Sequence, residues 1–130
     1  MWVYSQSSGH LFRDGKLVGT GYSGSPAGKN NPLMQALKST GPIPQGRWRI
    51  VGPPVDTNTH GPYALHLVPD PLTNTFGRSN FLIHGDNVSD PGNGSEGCIV
   101  LPPALRHLIW DSGDRNLLVV ACDTDLPLVC

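Results

Sequence analysis

Short apolar stretches recur along the whole chain, separated by Gly, Pro, Asn, Asp and Ser rather than by blocks of charge. That pattern predicts short strands joined by tight turns. Residues 2–6 and 11–13 flank Ser7-Ser8-Gly9, and Asp14-Gly15 turns the chain again into residues 16–19, so the first twenty residues read as an antiparallel meander. Residues 21–31 form a polar, Gly-rich loop, and residues 32–39 open with Pro32 and suit one or two helical turns. After the stiff turn at residues 41–46, Trp48 and Ile50 alternate with Arg47 and Arg49, the period of a half-buried strand. Further strands are predicted at 63–68, 81–84 and 97–101, with a long polar loop at 86–96 between the last two. Pro102-Pro103 opens a helix with a predicted buried stripe of Leu105, Leu108 and Ile109, ended by Asp111-Ser112-Gly113. A final buried strand is predicted at 117–122. The expected fold is mainly β, with one or two short helices.

Length and charge narrow the functional classes. A chain of 130 residues fits one domain, taken as 1–130, and is long enough to bury a core without disulfides. The 16 glycines and 13 prolines are spread between the apolar stretches, so they punctuate strands instead of marking disorder. Nine basic and ten acidic residues give a net charge of −1, with no basic patch that would suit nucleic acid. No window is apolar enough to span a membrane. The residues after Met1 lack the basic and apolar regions of a signal peptide. The expectation is a protein made in the cytoplasm that leaves it only with the help of other machinery.

Candidate chemistry centres on one histidine and one cysteine. His84 ends an apolar strand and precedes Gly85; Cys98 follows fourteen residues later in Ser95-Glu96-Gly97-Cys98. A thiol needs a neighbouring base to act as a nucleophile near neutral pH, and an imidazole supplies one. Gly97 permits a turn closed to other residues, Ser95 can bond back to the backbone, and the Gly97 and Cys98 amides are candidate oxyanion donors. On spacing alone, a strand-end histidine and a cysteine before Ile-Val-Leu read equally well as packed residues. Cys122 sits in an apolar run and reads as a small buried hydrophobe, and its pairing with Cys130 stays open. His10, His60, His66 and His107 read as non-catalytic. No cysteine pair has metal-binding spacing, and His84, Asp86 and Cys98 fall short of four ligands, so neither metal nor cofactor is expected.

The order His84-Gly85, loop, Ser95-x-Gly97-Cys98-Ile99 resembles the active-site signature of L,D-transpeptidases, the cysteine enzymes of peptidoglycan. Gly41-Pro42-Ile43-Pro44-x-Gly46-x-Trp48-x-Ile50 is similar to the proline turn and strand of the same domain. A narrower resemblance includes Gly19-x-Gly21-Tyr22-Ser23-Gly24, Gly28-Lys29-Asn30-Asn31-Pro32 and Ile83-His84-Gly85-Asp86, and points to a small single-domain branch containing antibacterial effectors of type VI secretion. The resemblance implies a β-sandwich or barrel in which Cys98 is the nucleophile and His84 its base. It implies L,D-carboxypeptidase cleavage, or D-amino-acid exchange, on peptidoglycan tetrapeptide stems in a target cell's periplasm. A cognate immunity protein and a secretion carrier would be its partners. Ser95 and Gly97 would shape the catalytic turn; Gly85, Asp86, Arg78 and Tyr22 are candidate substrate contacts. Val100 stands where many L,D-transpeptidases carry Arg or Asn, which favours the effector branch over a resident cross-linking enzyme. A non-catalytic peptidoglycan-binding module would be expected to lack His84 or Cys98, and both are present. A papain-like peptidase would place the cysteine before the histidine.

Overall fold

In the computed structural model, which describes residues 1–123, nine strands form one mixed sheet. They are β1 (Trp2–Ser5), β2 (His10–Arg13), β3 (Lys16–Thr20), β4 (Tyr22–Ser23), β5 (Gly46–Thr57), β6 (Gly61–Pro69), β7 (Leu82–His84), β8 (Ile99–Val100) and β9 (Asn116–Val120). The helix α1 spans Pro103–Asp111, and a single 3₁₀ turn covers Pro32–Met34. The mainly β expectation therefore holds. No helix among the described residues is long and apolar enough to cross a membrane.

The strand order is β3-β2-β1-β9-β5-β6-β7-β8-β4, so the two edge strands, β3 and β4, are consecutive in sequence. Only Gly21 separates them. A sheet whose opposite edges are joined by one residue must curl to bring those edges together. Gly21 donates to the Gly9 carbonyl at 2.8 Å, and any Cβ there would lie 2.0 Å from the Val100 carbonyl oxygen. Only glycine permits this seam.

The core fills the inside of the curl. Trp2, Tyr4, Leu11, Ile50, Leu65, Ile83 and Leu117 are all 2% exposed or less. Trp48 is held by its indole N–H donating to the Pro44 carbonyl at 3.0 Å and by an edge-to-face contact with Phe81, ring centroids 5.0 Å apart. The proline turn and its strand are thus stapled together.

Several elements differ from the sequence expectation. β5 continues past Val51 through Pro53 and Pro54, bulging against β6 where the prolines interrupt regular pairing. Tyr22 and Ser23, expected in a loop, pair as β4 with β8. The helix buries Arg106 and Ile109 and leaves Leu108 44% exposed, so it is rotated from the predicted stripe. β9 stops at Val120, short of Cys122, which is buried as expected. The open question of its pairing involves Cys130, which lies outside the described residues.

Candidate active site

β7 and β8 are parallel neighbours, with Ile83 opposite Ile99 and His84 opposite Val100. Alternation along strands then puts His84 and Cys98, one residue on either side of the Ile83–Ile99 pair, on the same face. The two side chains line a single cleft of about 1080 Å³. Gly85, Asp86, Arg78, Ser95 and Gly97 line it as well, together with Lys38, His60, Glu96 and Arg106. Tyr22 does not.

His84 is 1% exposed. Its Nδ1 lies 2.6 Å from the Gly85 carbonyl oxygen. A carbonyl only accepts, so the proton sits on Nδ1 and leaves Nε2 with a free lone pair. Nε2 is buried and makes no hydrogen bond among the described residues. Burial holds the His84 pKa below its ordinary value; the Gly85 bond opposes this, and the nearby charges of His60 and Arg106 add to it. The ring is therefore neutral at pH 7.

Cys98 is a neutral thiol at rest. Burial raises its pKa, while the Leu82 amide bond and Arg78 pull it down more weakly. Sγ accepts from the Leu82 N–H at 3.3 Å, and the S–H is directed to the Asn80 carbonyl at 3.7 Å. Cys98 and His84 both line the cleft, with no hydrogen bond between Sγ and Nε2.

The turn that carries Cys98 is held by two serines. Ser95 Oγ donates to the Cys98 carbonyl at 2.7 Å and accepts from the Gly24 and Gly97 amides, each at 3.0 Å. The Gly97 N–H is thereby engaged, whereas the Cys98 N–H has no partner among the described residues. Of the two oxyanion donors expected from sequence, the Cys98 amide is the one left free. Ser23 Oγ donates to the Gly97 carbonyl at 3.0 Å and accepts from Ile43 N–H at 2.8 Å, tying the turn to the proline segment. Ser23 stands in the Gly19-x-Gly21-Tyr22-Ser23-Gly24 segment of the sequence, but nothing local marks it as a brace of this turn.

Arg78 stands behind this turn. It is 7% exposed, and its terminal nitrogens donate to four carbonyls, those of Gln35, Gly41, Pro42 and Glu96. Two bonds on each terminal nitrogen use every N–H there, so the guanidinium's tips hold backbone and have none to offer a ligand. Gly97 has φ +144°, and a Cβ on it would lie 2.3 Å from Arg78 Nη2. Backbone conformation and the guanidinium both require glycine at this position.

Asp86 organises the loop after His84. Its carboxylate accepts from Tyr22 OH and from the Asn87 and Gly92 amides. Those bonds hold its pKa below the usual carboxylate value against the opposing effect of burial. Tyr22 OH also accepts from Gly94 N–H at 2.8 Å, and Lys29 Nζ lies 4.4 Å from the Tyr22 ring centroid. Burial, then the Asp86 bond, pushes the Tyr22 pKa up to about 12, so the phenol stays a donor. Tyr22 thus braces the loop after His84 from outside the cleft, and the Gly85 carbonyl fixes the His84 ring.

Two cleft residues escaped the sequence reading. His60, set aside as non-catalytic, brings its ring centroid to 4.6 Å from that of His84. It sits in the β5–β6 turn, where Thr57 Oγ1 accepts from its backbone N–H at 2.7 Å and Thr59 Oγ1 lies 2.8 Å from its Nδ1. Arg106 is 4% exposed. Its spacing of three from Ile109 was the available sign that it lies on the buried face of the helix. His107 is exposed and stacks on Tyr63, and His66 is exposed, as their strand and helix positions suggested. Among the described residues, no three His, Cys, Asp or Glu side chains are placed to hold a metal ion.

No curated protein and no solved structure matches this chain. The family model of the Tlde1 domain matches residues 18–120, a span from β3 to the end of β9 that contains every residue of the cleft described above. The chain belongs to the Tlde1 domain family, whose members are type VI secretion effectors.

Proposed function

We propose that the protein is a cysteine acyl-transfer enzyme that cleaves the terminal D-alanine from peptidoglycan tetrapeptide stems or exchanges it for another D-amino acid. The observation that carries this reading is the buried lone pair of His84 Nε2, unpartnered in the same cleft as the Cys98 thiol. An unsatisfied buried acceptor is costly, and an incoming proton from Cys98 satisfies it. The substrate class rests on the resemblance of the His84-Gly85 and Ser95-x-Gly97-Cys98 pieces to the L,D-transpeptidase signature, and on membership of an effector family.

In the first step the substrate brings Sγ into line with Nε2. The thiol proton passes to Nε2 as Sγ bonds to the carbonyl carbon at the L-centre of the stem diamino acid. The oxyanion is met by the Cys98 N–H. The carbon–nitrogen bond then breaks, and the leaving amine takes the proton from Nε2. Water attacking the resulting thioester gives hydrolysis, with the sulfur–carbon bond broken and the thiol restored; a D-amino acid amine gives exchange. As an effector, the enzyme would act in a target cell's periplasm, reach it on a secretion carrier, and be neutralised in the producer by an immunity protein covering the cleft.

Mass spectrometry of purified muropeptides incubated with the protein tests this directly. Tetrapeptides are expected to lose D-alanine in buffer, and to gain a new terminal residue when a D-amino acid such as D-methionine is present. Unchanged tetrapeptides under both conditions would overturn the reading.

The resting charge states fix the pH response. The base is neutral His84, and its pKa lies below the ordinary 6.5. As pH falls, activity is lost only when this depressed pKa is crossed. The acidic limb of kcat/KM is therefore expected below pH 6.5. A limb above that value would contradict the assignment of a buried, neutral base.

A further inference from the structure

Arg106 is a buried cation that no carboxylate accompanies. Its Nε donates to the Leu101 carbonyl at 3.1 Å, and its Nη1 to the carbonyls of Pro62 and Tyr63 at 2.6 and 3.2 Å. These bonds pin the guanidinium between α1, β6 and the end of β8. Nη2 makes no hydrogen bond among the described residues, and no Asp or Glu oxygen there lies within 4.0 Å of the side chain. Nη2 lies 2.9 Å from the point where a Cβ on Gly85 would stand, directly beside His84. A charge held out of water without a counter-ion is costly, so its position in a cleft asks for an anion from outside.

Chemistry says where such an anion would sit. The leaving nitrogen must come within hydrogen-bond reach of His84 Nε2 to take its proton. In a C-terminal residue the carboxylate carbon is two bonds from that nitrogen, roughly 2.5 Å away. The free carboxylate of the leaving residue is therefore obliged to lie close to the His84–Gly85 corner. Three permanent cations line the cleft: Lys38, Arg78 and Arg106. Lys38 is exposed, and Arg78 is saturated behind Gly97, on the side of the nucleophile. Arg106 alone combines burial, open N–H groups and a place beside His84.

We infer that Arg106 anchors the free carboxylate of the leaving residue, and that this anchor confines cleavage to the C-terminal peptide bond. The inference rests on the acyl-transfer reading above. It also gives the bound substrate a second effect. The groups whose charges act on His84 are His60 on the β5–β6 turn, Arg106 on α1 and Asp86 on the following loop; the first two disfavour its protonation. A carboxylate seated on Arg106 cancels part of that opposition, so His84 accepts the thiol proton more readily when the correct substrate is bound.

The test compares a tetrapeptide stem ending in D-alanine with the same stem ending in D-alaninamide, using the wild-type protein. The amide is expected to be cleaved with kcat/KM lower by at least about 30-fold, the effect of leaving a buried charge unpaired. Arg106→Gln is expected to cleave both peptides at a similar low rate, with Arg106→Lys keeping part of the preference. Equal cleavage of the two peptides by the wild type overturns the inference and leaves the acyl-transfer reading standing. So does an Arg106→Gln variant that keeps the full preference. Cleavage of neither peptide overturns the acyl-transfer reading itself. The wild-type comparison needs no variant, so it decides the matter even if Arg106→Gln does not fold.

Discussion

Replacing Cys98 by Ala is expected to lower kcat for D-alanine release by at least about 10³-fold while the protein remains folded. The proposed nucleophile is lost outright, and the Cys98 amide proposed to meet the oxyanion has no sulfur to work with. Folding should tolerate the change. The side chain is small, and the Asn80 carbonyl that it touches lines the cleft, where water can take its place; the buried Leu82 amide alone loses its sulfur acceptor. Thermal unfolding within a few degrees of wild type is the expected control. Cys98→Ser is expected to fail as well, because a serine hydroxyl is a far weaker acid than a thiol and His84 is a weakened base. Activity retained in both variants would remove Cys98 from the mechanism. His84→Ala is expected to match the Cys98→Ala loss, since the two groups act as a unit.

The second large effect is on stability. Arg78→Met is expected to destabilise the fold by about 3–5 kcal/mol, because it strips the donors from four carbonyls in one stroke. Each unsatisfied buried carbonyl costs about 1–3 kcal/mol; water entering from the cleft offsets part of the sum. Arg78→Lys should recover only a fraction, since an ammonium offers three donors from one point where the fork offers four in fixed directions. Urea titration measures both. A loss below about 1 kcal/mol for Arg78→Met would show that the four carbonyls find water easily and that the guanidinium does not hold the turn. Activity should fall along with stability, because the same side chain supports Gly97 and the Glu96 carbonyl beside Cys98.

The sequence showed the strands wherever periodicity was local. Trp48 and Ile50 alternating with arginines marked β5, and the apolar run ending at His84 marked β7. It also placed His84 and Cys98 at the two ends of one exposed loop, which is why a shared cleft was foreseeable. Long-range contacts decided the remainder. β4 is two residues of a Gly-rich segment that become a strand only because β8 lies beside them. β5 runs on through two prolines because β6 supplies pairing on either side of the bulge. Arg78 is an unremarkable arginine in sequence, and only the meeting of three separate carbonyl-bearing segments around it reveals its task. Arg106 and His60 enter the cleft from α1 and from a hairpin turn, and nothing local marks either as a neighbour of His84.

The placement of β9 has a consequence for how the molecule comes into being. The last of the described strands inserts between β1 and β5, parallel to the first and antiparallel to the second. Until residues 116–120 are available, the meander at the start of the chain and the hairpin of β5 and β6 have no shared hydrogen-bond ladder. The loop that must close to join β1 to β9 spans almost the whole described chain, and such non-local pairings make folding slow. Cys98 and His84 are therefore expected to become buried late, after synthesis of the site residues themselves. A nascent chain would carry the Cys98 thiol without its proposed base in place, and the proposed pair would be assembled in one cooperative event with the joining of the sheet.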